Sequence, residues 1–227
     1  MAKKHLGITN LPYFLYKLKN ELFAYIQEAI YGIIDGTIEN ISNSKTLYVR
    51  DYGFYQHQNL RTATFPNVTD IGNYAFYKSP NLTTINAESV SNIGVFAFKG
   101  CSSLTSASYP LVTTIGQGCF DECTALTSIN FTMLEIITPL SFRKCESLTT
   151  VDLSVTTSIG TQAFYGSGIT SLTLRSNIVV SLENADAFYF TPIEEGTGYI
   201  YVPSNLVDSY KAADGWSVYA NQIMAIA

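Results

Sequence analysis

Charge is scarce in this 227-residue sequence: 14% of its residues are Asp, Glu, Lys or Arg, and they sum to a net charge of -5. No basic field exists to hold a phosphate backbone or an anionic bilayer, which argues against nucleic acid as a partner. Histidine is scarcer still, with two in the chain. Neither His5 nor His57 has a Ser, Cys or carboxylate set beside it by the sequence, so a nucleophilic triad has no support. The four cysteines include no Cys-x-x-Cys pair, and no glycine-rich phosphate loop is present. Long apolar runs are also missing. The opening MAKKHLGITNLPYFLYKLKNELFAY is interrupted by Lys17, Lys19, Asn20 and Glu21, so it does not read as a signal peptide, and no run reaches the length of a membrane span. These absences predict a chain without cofactor, bound metal or membrane insertion.

Apolar residues make up 47% of the chain, enough for a substantial core, and they include 13 Phe and 16 Tyr. With Ser and Thr crowding the middle of the sequence, that mixture favours β structure over helix. The strongest signal is a repeat of period 22. Five segments align without a gap: DYGFYQHQNLRTATFPNVTDIG (51 to 72), NYAFYKSPNLTTINAESVSNIG (73 to 94), VFAFKGCSSLTSASYPLVTTIG (95 to 116), QGCFDECTALTSINFTMLEIIT (117 to 138) and PLSFRKCESLTTVDLSVTTSIG (139 to 160). A sixth unit over 161 to 184 carries small insertions, and a partial seventh opens at Ala185. These units are numbered coils 1 to 7 below.

A fixed period of this length means a solenoid whose coils bury a shared core only by stacking. Phe54, Phe76, Phe98, Phe120, Phe142, Phe164 and Phe188 occupy position 4 of successive units and predict a buried aromatic column. Leu60, Leu82, Leu104, Leu126 and Leu148 at position 10, with Ile71, Ile93, Ile115, Ile137 and Ile159 at position 21, supply two further inward anchors. After position 10 the residues alternate, as in Thr150-Val151-Asp152-Leu153-Ser154, which is the signature of a short strand. Positions 13 and 15 are then expected to point inward, and the strands of stacked coils to pair in parallel. Gly72, Gly94, Gly116 and Gly160 at position 22 suggest a turn that needs positive φ.

The pattern standing as AFKGCSSLTSASYPLVTTIG and its variants resembles the BspA-like subclass of bacterial leucine-rich repeats. The stretch YIYVPSNLVDSYKAADGWSVYANQI resembles the closing segment of such proteins, which extends the likeness over roughly residues 51 to 224. The resemblance implies a mostly β, right-handed leucine-rich-repeat solenoid. It also implies a surface or secreted adhesion-type module with no fixed set of catalytic residues.

Both ends read as additions to the solenoid. Leu11, Leu15, Leu18, Leu22, Ile26, Ala29 and Ile33 follow three-and-four spacing and predict an amphipathic helix, either a homo-oligomerising segment or a cap on the first coil. The segment LGITNLPYFLYKLKNELFAYI also resembles N-terminal segments of tail appendage proteins of phages and prophages, so the expected setting is a cell surface, the extracellular space or a virion. Residues 35 to 46 read as a linker or a degenerate coil. At the other end, Tyr199-Ile200-Tyr201-Val202 suggests a last strand and Ser204 a helix N-cap. Leu206, Tyr210 and Ala213, then Trp216, Tyr219 and Ile223, suggest two short capping helices. The organisation expected is an N-terminal helix and linker over 1 to 46, a solenoid over 47 to 184, and a last partial repeat with a helical cap over 185 to 227.

Cys101, Cys123 and Cys145 share position 7. Side chains on adjacent parallel coils aim the same way, which opposes disulfide geometry and favours buried thiols acting as small apolar residues. Cys119 reads as a packing substitution. Asp121-Glu122 and Glu194-Glu195 fall in predicted turns, where solvated charge is commoner than a paired acid and base. Surfaces are the better candidates, for a protein or glycan ligand. Outward positions 12, 14 and 16 would align Thr62, Thr64, Thr84, Asn86, Glu88, Ser106, Ser108, Ser128, Asn130, Thr132, Thr150, Asp152, Ser154, Thr173 and Arg175 as a polar strip, although short hydroxyls lack strong binding anchors and, residue by residue, an ordinary solvated sheet face is the commoner arrangement. Tyr52, Tyr55, Tyr74, Tyr77, Phe96, Tyr165 and Tyr189 form a second set beside the Phe column, offering stacking faces and hydroxyls or else packing between coils. The function expected is non-enzymatic recognition, with a phage or prophage tail appendage as the alternative.

Overall fold

A computed structural model describes residues 37 to 227. The helix expected over 11 to 33, the oligomerisation expected of it and His5 lie outside the described residues. Among the described residues the chain forms fifteen short strands: β1 (Asn40–Ser42), β2 (Tyr48–Val49), β3 (Thr62–Thr64), β4 (Asp70–Ile71), β5 (Thr84–Asn86), β6 (Asn92–Ile93), β7 (Ser106–Ser108), β8 (Ser128–Asn130), β9 (Ile136–Ile137), β10 (Thr150–Leu153), β11 (Ser158–Ile159), β12 (Ser171–Leu174), β13 (Ser181–Leu182), β14 (Tyr199–Val202) and β15 (Ile223–Ala225). All the pairings between them are parallel.

The wider strands pair in three successive groups, β1-β3-β5, β7-β8 and β10-β12-β14-β15. The two-residue strands form β2-β4-β6 and β9-β11-β13, linked by single bridges from Ile93 to Ile115 and from Thr114 to Ile136. Thr62 faces Thr84 and Ser106 faces Ser128, so the hydrogen-bond register repeats the sequence period. The architecture is a parallel-sheet β-solenoid of about eight coils. The coil before coil 1 is included, because Asn40–Ser42 pairs with Thr62–Thr64 one period on.

Alternation places the core as the sequence suggests. Ala63, Phe65, Ala87, Ala107, Tyr109, Phe131, Val151 and Leu153 are buried at positions 13 and 15, while Ile85 and Ile129 are half-buried. The seven Phe rings form one stack from Phe54 to Phe188, with successive centroids 5.0 to 5.6 Å apart and ring planes within 15° of parallel. Each buried ring contributes about 1.5–3 kcal/mol from lost water contact, and each pair of rings adds roughly 0.5–1.5 kcal/mol. Trp216 and Tyr219 close the stack against Phe188, at 5.9 and 5.5 Å.

Around each Phe the backbone follows an arc that sequence patterning did not reveal. In coil 1 the amides of Tyr52, Phe54 and Gln56 donate to carbonyls of Asn73, Ala75 and Tyr77 in the next coil, at 3.0, 2.6 and 2.6 Å. The intervening amides of Gly53, Tyr55 and His57 donate three residues back, to Arg50, Tyr52 and Phe54. This division satisfies every amide of the arc by holding positions 2 and 6 in the left-handed region. Tyr52, Tyr74, Phe96, Leu140 and Gln162 at position 2 have φ from 52° to 64°, and Gln56, Lys78, Glu122 and Lys144 at position 6 from 51° to 62°.

Two expectations require correction. Gly72, Gly94, Gly116 and Gly160 are not among the residues with positive φ. They are needed for close approach instead: a Cβ on Gly116 would lie 2.3 Å from the Gly94 carbonyl carbon, and one on Gly72 2.5 Å from the Asp51 amide nitrogen. The C-terminal segment is likewise not a pair of helices. It holds a single six-residue helix, α1 (Val207–Ala212), with 3-10 turns at Ser204–Leu206 and Ser217–Tyr219. Ser204 makes no capping hydrogen bond, because the N-cap position of that first turn is Pro203. Ile223 belongs to β15, since the edge of β14 offers backbone partners that a second helix would leave unused: the Ile200 amide donates to Gln222 at 2.9 Å and the Ile226 amide to Val202 at 2.8 Å. Trp216, Tyr219 and Ile223 are nonetheless all buried, as their apolar character demands.

Candidate recognition surface

The coil stack turns each repeat position into a line of side chains along the solenoid, so candidate sites are columns. At position 2, Tyr52 and Tyr74 stack at 5.1 Å with planes 2° apart, and Phe96 continues the line at 5.5 Å. At position 5, Tyr55 and Tyr77 stack at 5.2 Å. Tyr52 meets Tyr55 and Tyr74 meets Tyr77 at 5.6 and 5.5 Å, so five rings from coils 1 to 3 form one ridge. Tyr52 is 56% and Tyr55 42% exposed; Tyr74, Tyr77 and Phe96 are half-buried. Because the rings lie face to face along the axis, the ridge presents ring edges and phenol hydroxyls rather than open stacking faces. Phe96 ends the position-2 line by lying over Gly118, where a Cβ would come within 2.2 Å of its ring. Tyr165 and Tyr189 belong to coils 6 and 7 and are not part of this ridge; Tyr165 packs edge-on against Phe190 at 5.1 Å.

Beside the ridge runs a groove of about 600 Å³, lined at position 6 by Gln56, Lys78, Gly100, Glu122 and Lys144 and at position 8 by Gln58, Pro80, Ser102, Thr124 and Glu146. Lys78 joins the two features, since its Nζ stands 5.4 Å from the centre of the Tyr77 ring. Sequence reasoning missed this groove, although its signal was present: position 6 reads Gln, Lys, Gly, Glu, Lys, a column with no apolar residue. Four of those residues carry side chains at a φ where glycine is unstrained, at a cost on the order of 1–2 kcal/mol each.

Position 5 then changes character. Lys99, Asp121 and Arg143 take the places of the tyrosines, and Asp121 is wholly buried between the two cations. Its carboxylate accepts from Lys99 Nζ at 2.7 Å and from Arg143 Nε and Nη2 at 2.8 Å each. The expectation that Asp121 is solvated in a turn is therefore wrong: position 5 faces its neighbours along the axis, and charges from both adjoining coils replace water. Glu122 is half-buried and approaches Lys99 and Arg143 at 3.9 and 3.6 Å, while Glu194 and Glu195 are exposed as expected.

The polar strip is displayed on the sheet face. Asn86, Glu88, Ser106, Ser108, Ser128, Asn130, Thr132, Thr150, Asp152, Ser154 and Arg175 are exposed, and Thr84 and Thr173 half-buried. Its groups bond one another from rung to rung. Thr62 Oγ1 donates to Asn40 at 2.6 Å, Asn130 Nδ2 to Ser108 at 3.1 Å, and Arg175 clasps Asp152 at 2.8 and 2.6 Å.

The position-7 column is internal. Cys101, Cys123 and Cys145 are buried free thiols, each donating to a backbone carbonyl of the preceding coil, of Phe76, Phe98 and Phe120, at 3.0 to 3.2 Å. Burial pushes the Cys101 thiol up to about 12 and raises Cys119, Cys123 and Cys145 as well, which keeps them protonated and unreactive. His57 occupies the same column, buried, with Nδ1 accepting the Leu60 amide at 3.1 Å, a structural contact. Among the described residues no group of three or more His, Cys, Asp or Glu is placed to hold a metal ion. No helix among them is long and apolar enough to cross a membrane.

Parallel coils of 22 residues, inward Leu and Ile anchors and an aromatic spine define a leucine-rich-repeat solenoid. The chain belongs to the family of the BspA type leucine rich repeat region, whose model matches residues 35–137 and 113–198 in six copies. A leucine rich cell surface protein from Faecalibacterium prausnitzii has a solved structure that is similar in fold, with a TM-score of 0.63 and 24% identity over 78% of this chain and 50% of that one. A leucine-rich repeat protein from Eubacterium ventriosum is 27% identical over 58% of this chain and 41% of its own, with a TM-score of 0.49. The chain thus spans about half the length of the first protein and less of the second. No curated protein matches it.

Proposed function

We propose that this chain is a non-enzymatic recognition scaffold that engages a protein or glycan ligand through the aromatic ridge of coils 1 to 3 and the groove beside it. The ridge itself carries the reading: five ring edges crowd beside a groove lined by Gln, Lys and Glu, and tyrosine is among the residues that concentrate binding energy. The polar strip is the weaker candidate face, because its own residues are short and polar, its one arginine is already committed to Asp152, and rings reach that sheet face only at its end, at Tyr199 and Tyr201. The setting that fits is a bacterial surface or a phage particle, where a rigid rod presents its side to a host molecule.

Glycan and host-protein arrays probed with the wild type, Y52S/Y55S and N86A/N130A test the choice of face. The ridge variant is expected to lose roughly tenfold or more in affinity, with the strip variant unchanged. Loss in the strip variant alone would move the site to the sheet. The second reading, a tail appendage assembled through residues 11 to 33, rests on the apolar spacing from Leu11 to Ile33. Under it, the full chain sediments as an oligomer and L18D as a monomer.

A further inference from the structure

One column is apolar where the fold does not require it. Position 17 holds Asn67 and Ser89 in coils 1 and 2, then Leu111, Met133 and Val155 in coils 3 to 5 and Ile178 after the insertion of coil 6. Asn67 and Ser89 satisfy the fold by donating to the carbonyls of Ser44 and Pro66 one coil back, at 2.6 and 2.8 Å. The four apolar residues that follow remain 50%, 49%, 43% and 48% exposed. Together they show about 350 Å² of mostly apolar surface, a size typical of the largest patch on a monomer and often functional.

We propose that this column is a self-association surface, on which a second copy of the chain packs antiparallel about a two-fold axis between Met133 and Val155. Spacing favours a copy over another partner. Neighbouring rungs lie about 4.7–4.9 Å apart, and a second solenoid has the same rise, so its side chains meet those of the first rung for rung along all four coils. A partner helix advances about 5.4 Å per turn and would drift by roughly 2 Å over that length. The two-fold sets Leu111 of one copy against Ile178 of the other and Met133 against Val155. It also places Glu135 opposite Thr157, so no carboxylate meets its own symmetry mate. Two columns bury about 700 Å², short of the ~1,000 Å² of a stable specific interface, which fits a weak, reversible dimer. Because the column turns polar at Ser89, overlap is limited to four coils and the assembly closes as a pair.

Sedimentation of the full chain from about 5 to 500 µM tests this, with M133N/V155S installing the kinds of residue that coils 1 and 2 carry at the same position. A concentration-dependent dimer is expected, weakened roughly tenfold or more in M133N/V155S, unaffected by L18D, and with the variant melting as the wild type does. Under mild oxidation, mixed M133C and V155C chains should cross-link more than either chain alone. A monomer at every concentration, a dimer that survives M133N/V155S, or one lost with L18D instead would overturn the proposal.

Discussion

Gly116 measures how little room the stack leaves. Its missing side chain lets two backbones meet, and a methyl group there would have to push Gly94 of the preceding coil away. Substitution G116A is therefore expected to cost about 1–3 kcal/mol or more in urea unfolding, whereas a glycine needed only for a turn would show a smaller penalty at its exposed neighbours. The period-22 alignment marked this residue correctly and assigned the wrong reason, because sequence shows that a side chain is excluded and not by what. The thiol column makes a second residue-scale prediction. Cys101 titrates near 9 in water and is pushed up to about 12 when buried, with Cys119, Cys123 and Cys145 raised in the same direction. A folded value above the unfolded one means that the unfolded chain loses its protons first. The stabilisation is then fully present below about pH 8 and declines as pH rises through 9 towards 12. The urea midpoint should be lower near pH 10 than near pH 8, and an unchanged midpoint would contradict the burial of these thiols.

At the scale of elements, the Lys99–Asp121–Arg143 ladder ties coils 3, 4 and 5 together. Removing the central charge leaves two partly buried cations with only the more distant Glu122, so D121N should lower stability by about 3 kcal/mol in denaturant titration. A loss below about 1 kcal/mol would mean the ladder behaves as a surface pair. This ladder was legible in principle, because Lys, Asp and Arg stand 22 residues apart in one register position; adjacency of Asp121 to Glu122 in sequence drew attention to the wrong relation. Strand positions, inward anchors and the parallel register were readable because alternation and period are local properties of the chain. The C-terminal segment was not, since Trp216, Tyr219 and Ile223 are apolar at a spacing that a helix and an irregular cap share, and the deciding factor is the unpaired edge of β14. The cap is fastened by polar contacts that no pattern announces: Tyr210 Oη accepts the Val180 amide at 3.0 Å, Trp216 Nε1 donates to the Val180 carbonyl at 2.7 Å, and Tyr219 donates to Ala185.

For the whole molecule, a line of identical contacts makes the solenoid stiff and its faces regular, and function then depends on which columns depart from the repeat. The groove and the position-17 column are such departures. Both were present in the aligned sequence as single register positions, but which positions outside the strands face solvent is settled only by the path of the backbone around each coil. Every face rests on the aromatic spine, whose amides bridge coil to coil: Phe76 to Ala97, Phe98 to Cys119, Phe120 to Ser141, Phe142 to Ala163 and Phe164 to Ala187, at 2.7 to 2.9 Å. Native-state hydrogen exchange at these five amides tests that claim most directly. They should exchange together and slowest in the protein, with faster opening confined to the terminal coils. Rapid exchange at Phe120 while its neighbours stay protected would contradict a continuous spine.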